Sequence, residues 1–119
     1  MTIEEFINQR IADEERIAEA TSGTATEREW VYAEGRVSDT GEYRGLHAEA
    51  HDPRDGVHIA RHDPARVLRQ CEAIRTLVAY HDGGVCGFGE NGECLHCNLL
   101  PIIAAIWSDH SDYRQEWKP

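Results

Sequence analysis

Seventeen residues in the C-terminal third constrain this chain more than any other stretch. The pattern His81-x4-Cys86-x7-Cys94-x2-Cys97 sets four soft or borderline metal ligands between two segments of apolar periodicity. Gly83, Gly84, Gly87, Gly89 and Gly92 supply the turns that tetrahedral closure of such a loop needs. Cys94 and Cys97 form the tight chelating half, and His81 with Cys86 the other. The expectation is a structural zinc ion tying the end of one helix to the start of the next. With all four positions filled by protein, the metal has no open site for catalysis. Cys71 lies on the same predicted helix as His81, about 15 Å along its axis at a rise of about 1.5 Å per residue. It reads as a small buried apolar residue, and with His96 it is a substitute for the fourth ligand.

Three other readings of the thiols stay open. A redox Cys-x-x-Cys normally begins a helix after a buried strand, and no strand pattern precedes Cys94. A disulfide framework suits an oxidising compartment, whereas the composition reads as cytoplasmic. Reduced loop thiols without metal are the remaining case.

The flanking segments define the rest of the architecture. Residues 3–20 read as a helix opened by a capping box of Thr2 and Glu5, with Ile3, Phe6, Ile7, Ile11, Ile17 and Ala18 on one face. Arg10 and Glu14 fall in the same arc, spaced for an i,i+4 ion pair. Residues 29–37 and 41–50 read as two strands about a Ser38-Asp39-Thr40-Gly41 turn, and Val57 to Ala60 as a third strand. Asp63 then caps a helix over 64–81 whose first residue is Pro64. A third helix spans 98–108, with Leu99, Ile102, Ile103, Ile106 and Trp107 as the expected centre of the core and Pro101 in its first turn. The fold class that follows is α+β in one small domain: an N-terminal helix, a small antiparallel sheet over 29–60, and two C-terminal helices joined by a zinc-binding loop over 81–97, followed by a tail over 109–119. Tyr113 and Trp117 of that tail, four residues apart, are expected to pack against the core as a pair.

His47-x3-His51 and His58-x3-His62 invite a second metal site. In strand or turn, however, residues four apart are separated by about 13 Å. Asp52 and Asp63 both precede proline and are accounted for by turn formation and capping. A metal-dependent hydrolase or nuclease would need His47, His51, His58 or His62 to converge with an aspartate beside an open metal position. No nucleophile elbow, P-loop or dinucleotide fingerprint is present, so no catalytic residue is assigned and the reading leans away from an enzyme.

Charge narrows the partners. Twelve basic residues stand against twenty-two acidic ones, a formal net charge of -10, which three thiolates and a zinc dication would take to -11. Such a surface repels a phosphate backbone, so direct nucleic-acid binding is disfavoured and a protein partner with a basic surface is favoured. An acidic nucleic-acid mimic that blocks a DNA-binding protein is the main alternative. No apolar run approaches the length of a membrane span, and the opening residues are too acidic for a signal peptide. Every basic residue except Lys118 is arginine, a bias expected of a GC-rich genome.

The opening MTIEEFINQRIADEE, the central HIARHDPARVLRQCEAIRTLVAYH and the closing WSDHSDYRQEWKP together resemble a family of small proteins of actinobacteria and their phages, a domain of unknown function. Its members carry a HIARHDPARVL run, a variable Cys-containing loop and a tail of the type YADHPDYREEW. Ser111 stands where that tail has proline, and the hairpin region matches less well. The resemblance implies a bacterial host cytoplasm and an actinobacterial or phage source, and brings no activity with it. The combined expectation is a non-enzymatic, acidic protein-interaction module with a structural zinc site, as in a phage-encoded modulator of a host protein.

Overall fold

The computed structural model describes residues 1–21, 24–83 and 98–119, the side chains of 81–83 excepted. The chain gathers into two compact units, one of Met1–Asp13 with Glu72–Pro119 and one of Glu14–Cys71. Together they hold a mixed set of helices and one three-stranded antiparallel sheet, an α+β class.

The first helix, α1 (Ile3–Glu19), begins as its capping box requires. The Thr2 N–H donates to Glu5 Oε2 and the Glu5 N–H donates to Thr2 Oγ1, both at 3.1 Å, so two otherwise orphaned donors are satisfied reciprocally. Phe6, Ile7, Ile11 and Ala18 are buried along the expected face. Ile17 departs from it, being 61% exposed. Its angular position fits the stripe, but it lies near the helix end and edges a small open cleft with Trp30, His62 and Val67. Arg10 is drawn into the buried face, 9% exposed, with Asp13 Oδ2 accepting from it at 3.0 Å.

The sheet corrects the expected strand boundaries. Its strands are β1 (Trp30–Ala33), β2 (Arg36–Asp39) and β3 (Leu46–Glu49), in that spatial order. The stretch expected as one strand over 29–37 is itself a hairpin. Glu34 and Gly35 take φ of 52° and 79°, and Ala33 pairs with Arg36 across this two-residue turn. Two successive positive φ values match the right-handed twist of the strands, and glycine takes the second without steric cost. The expected turn at 38–41 opens a longer connection to β3. Register runs from Val37 opposite Ala48 to Ser38 opposite Leu46, leaving His47 as the extra residue of a bulge.

The third expected strand is a helix, α2 (Pro53–Arg61). Asp52 is its N-cap, accepting from the Arg54 N–H at 2.9 Å, and Pro53 takes the first turn where its missing N–H costs nothing. His51-Asp52-Pro53 thus does what His62-Asp63-Pro64 does eleven residues later, and that repetition was the legible signal. Gly56 and Ala60, one turn apart, are buried and let α2 lie close on the sheet. A Cβ on Gly56 would fall 2.1 Å from Tyr32 Cδ2.

Helix α3 (Pro64–Gly83) starts at Asp63, as expected. Asp63 Oδ1 accepts from the Arg66 N–H at 2.8 Å and Oδ2 from the Trp30 N–H at 3.0 Å, so the cap also pins β1 to the helix start. Cys71 is buried at 4% exposure, as its apolar reading required. The last helix is shorter than expected: α4 (Leu99–Ala104) passes into a 3-10 turn at Ala105–Trp107. Of the expected core residues Ile103 is buried, but Leu100 and Ala104 are the residues buried with it, while Ile102 and Ile106 are 58% and 59% exposed. An all-apolar segment carries no periodicity to mark its inner face, so packing alone selects it.

The tail folds back within the first unit. Phe6, fully buried, has Trp117, His110 and Tyr113 around it at ring-centroid separations of 5.1, 5.9 and 6.0 Å. Tyr113 and Trp117 meet edge to face at 5.9 Å, the pair their spacing predicted.

Candidate functional site

The metal set His81, Cys86, Cys94 and Cys97 lies outside the described residues, with only the backbone of His81 placed, inside α3. His96 falls outside them as well. Among the described residues no group of three or more His, Cys, Asp or Glu side chains is placed to hold a metal.

Of the remaining histidines, two were expected to be held apart and are brought together. Because α2 is a helix, His58 sits one turn before the C-cap His62, and their rings lie 4.3 Å apart at 37°. The His62 ring Nδ1 is 2.8 Å from the His58 carbonyl oxygen, which orients it as part of the helix end. His51 is exposed just before the Asp52 cap. These positions do not converge with an aspartate on an open site among the described residues, so the geometry a hydrolase needs is not formed there.

His47 has a carboxylate partner. The β3 bulge brings its Nε2 within 2.9 Å of Asp39 Oδ2, and its ring stacks on Trp30 at 4.5 Å and 14°. Asp39 is 5% exposed and held below the usual carboxylate range, chiefly by the His47 hydrogen bond and further by the backbone amides of Gly41 and Gly45. The Gly41 N–H donates to Asp39 Oδ1 at 3.0 Å. A Cβ at Gly45 would come within 2.7 Å of Asp39 Oδ2. The carboxylate organises the 40–45 connection around itself, and the pair reads as architecture.

The polar cluster on α1 is of the same kind. Arg10 joins Asp13 and His110, with Asp112 Oδ2 at 3.8 Å, and its guanidinium lies 5.4 Å from the Phe6 ring centroid. It fixes the tail to the helix.

Among the described residues, two further features stand outside these structural pairings. In the first unit, Ile102 and Ile106 stand one turn apart and exposed on the most apolar segment of the chain, and Leu77 and Tyr80 of α3 are 43% and 71% exposed. In the second, a cleft of about 430 Å3 opens between β1, the end of α2 and the start of α3. Trp30, Tyr32 and Val57 form its apolar walls, and Arg61, Arg66 and Arg69 line it with a single carboxylate, Asp63. Neither surface was anticipated. The arginines at 61, 66 and 69 were visible as a cluster, but their convergence needed α2 to be a helix.

A family model described as a family of unknown function (DUF6221) covers residues 1–119. No curated protein and no solved structure matches the chain.

Proposed function

The chain belongs to this family of unknown function, and with no activity to inherit from it we propose a non-enzymatic protein-interaction module. One observation carries the reading: Ile102 and Ile106 are left more than half exposed on the segment richest in large apolar residues. Exposed apolar area of this kind costs solubility and is recovered when a partner covers it. The chain as a whole carries a formal charge of -10, so the partner that fits is a protein whose apolar contact is rimmed by basic residues.

The Cys and His loop supports the same reading as a staple. In this proposal His81, Cys86, Cys94 and Cys97 hold a structural zinc ion whose role is to tie the end of α3 to the start of α4. The arginine bias and the motif resemblance support a bacterial cytoplasm and a phage-encoded or actinobacterial modulator of a host protein. An acidic nucleic-acid mimic differs in where its energy resides, in carboxylates rather than in isoleucines.

The test is affinity capture from an actinobacterial lysate with the wild-type chain, Ile102→Glu/Ile106→Glu, and a variant reversing Glu4, Glu14 and Glu15. Loss of a defined protein partner on the isoleucine variant, with retention of fold by circular dichroism, is the expected result. A partner that survives the isoleucine change and disappears on charge reversal establishes the mimic instead. Self-association of the wild-type chain that the isoleucine variant abolishes assigns the surface to a second copy and removes the partner reading.

A further inference from the structure

We propose that the cleft walled by Trp30, Tyr32 and Val57 and lined by Arg61, Arg66 and Arg69 binds a small aromatic ligand bearing a phosphate, of mononucleotide class. It lies wholly within the Glu14–Cys71 unit and concerns none of the residues invoked for partner binding.

Charge is the first argument. The chain as a whole has ten more carboxylates than basic groups, yet this one cleft gathers three guanidinium groups against one carboxylate. That carboxylate, Asp63, is already engaged, one oxygen by the Arg66 N–H and the other by the Trp30 N–H. Among the described residues, Arg61, Arg66 and Arg69 make no ion pair. Arg66 Nη1 reaches the Arg61 carbonyl oxygen only at 3.5 Å, at the limit of a hydrogen bond.

Placement is the second argument. The first turn of α3 contains no acidic residue, and Arg66 and Arg69 follow within its opening turns. The helix dipole puts partial positive charge at that end, so cations there are disfavoured and an anion is favoured. Asp63 at the N-cap supplies one negative charge there, against the two guanidinium groups of Arg66 and Arg69. Residues that break a local rule without a structural return are where function is expected.

The walls give the third argument. Trp30 is held by His47 stacked on its ring and by its indole N–H donating to the Glu27 carbonyl at 3.2 Å. Tyr32 is held by its packing on Gly56, where no side chain intervenes. Aromatic side chains held in place beside guanidinium groups suit a planar ring carrying an anionic group, and preorganisation limits the entropy lost on binding. The volume of about 430 Å3 is that of a small-molecule site.

The same charges decide against a polymer. A nucleic-acid strand would carry many phosphates across an acidic protein, and repulsion grows with each one. A single phosphate interacts chiefly within about 10 Å, the screening length at about 0.1 M salt, where the three arginines dominate.

Isothermal titration of the full chain with AMP, adenosine and inorganic phosphate tests the proposal. Wild type is expected to bind AMP at least about tenfold more tightly than either adenosine or phosphate alone, a difference of about 1.4 kcal/mol. Arg61→Gln/Arg69→Gln, which removes no ion pair among the described residues, should weaken AMP by about tenfold or more, while Arg36→Gln on β2 leaves it unchanged. AMP binding to wild type should also weaken with added salt while adenosine binding does not, a readout that needs no variant. No AMP binding at about 1 mM, equal binding by the double variant, or preferential binding of an acidic peptide would each overturn the assignment.

Discussion

Arg10 and His110, one hundred residues apart in sequence, are in direct contact: the Arg10 Nη1 lies 2.7 Å from Nε2 and 2.8 Å from Nδ1 of the His110 ring. The Asp112 N–H also donates to His110 Nδ1, at 3.1 Å, so Nδ1 is an acceptor. One buried cation thereby organises the turn that starts the tail. Arg10→Met should lower stability by about 1–3 kcal/mol, because the polar groups facing it lose their donor while remaining partly buried. Urea denaturation followed by circular dichroism measures it, and a change below about 0.5 kcal/mol would show that the contact is incidental to the fold.

The aromatic group around Phe6 makes a sharper contrast available. Phe6 is fully buried beneath Trp117 and Tyr113, whereas Ile17, on the same helical face, is mostly exposed. Phe6→Ala should cost about 3–5 kcal/mol and release the tail, seen as a red shift of tryptophan emission. Ile17→Ala should stay within about 0.5 kcal/mol of wild type. Equal costs at the two sites would contradict the placement of the tail.

Acid sensitivity follows from Asp39. A carboxylate whose folded pKa is depressed contributes stability that is present above its unfolded pKa, near 3.8, and is lost as pH falls through the folded value. Asp52, depressed by its hydrogen bonds to Arg54, acts with the same sign. The urea midpoint should therefore decline as the pH is taken below about 4. Asp39→Asn should lower stability at neutral pH and flatten that decline, leaving the smaller slope due to Asp52. A variant as acid-sensitive as wild type would place the effect elsewhere.

At Gly56, α2 lies against the Tyr32 ring of β1. With Tyr32 Cδ2 standing 2.1 Å from where a Cβ would sit, Gly56→Ala should destabilise by about 1–3 kcal/mol through overpacking, although alanine is the better helix former. Combining it with Tyr32→Ala should relieve the clash, so the double-mutant cycle gives a favourable coupling. Simple additivity of the two losses would mean that the ring and the helix do not press on each other.

The zinc proposal has its own measurement. Protein purified in reducing, chelator-free buffer should contain close to one equivalent of zinc by elemental analysis, and Cys94→Ser should lose most of it together with thermal stability. Less than half an equivalent in the wild type removes the staple.

Local chemistry written in adjacent residues was readable from the sequence. Thr2 and Glu5 specify a capping box, Asp63-Pro64 a helix start, and Tyr113 with Trp117 an aromatic pair, because each depends on partners a few residues away. The same logic applied at Asp52-Pro53 would have revealed α2, but the β-branched residues Val57 and Ile59 favour a strand by propensity, and the cap outweighs them.

What tertiary structure alone decided was which surfaces face each other. Glu34-Gly35 became a hairpin turn because the sheet pairs β1 with β2, and Ile103 rather than Ile102 was buried because an all-apolar helix has no inner face until something packs on it. Likewise, the cleft that Arg61, Arg66 and Arg69 line together with Trp30 and Tyr32 exists only once two helices and a strand have docked. Sequence spacing encodes interactions over one or two turns of chain. Burial and clefts arise from contacts between residues tens of positions apart, which the order of the residues does not state.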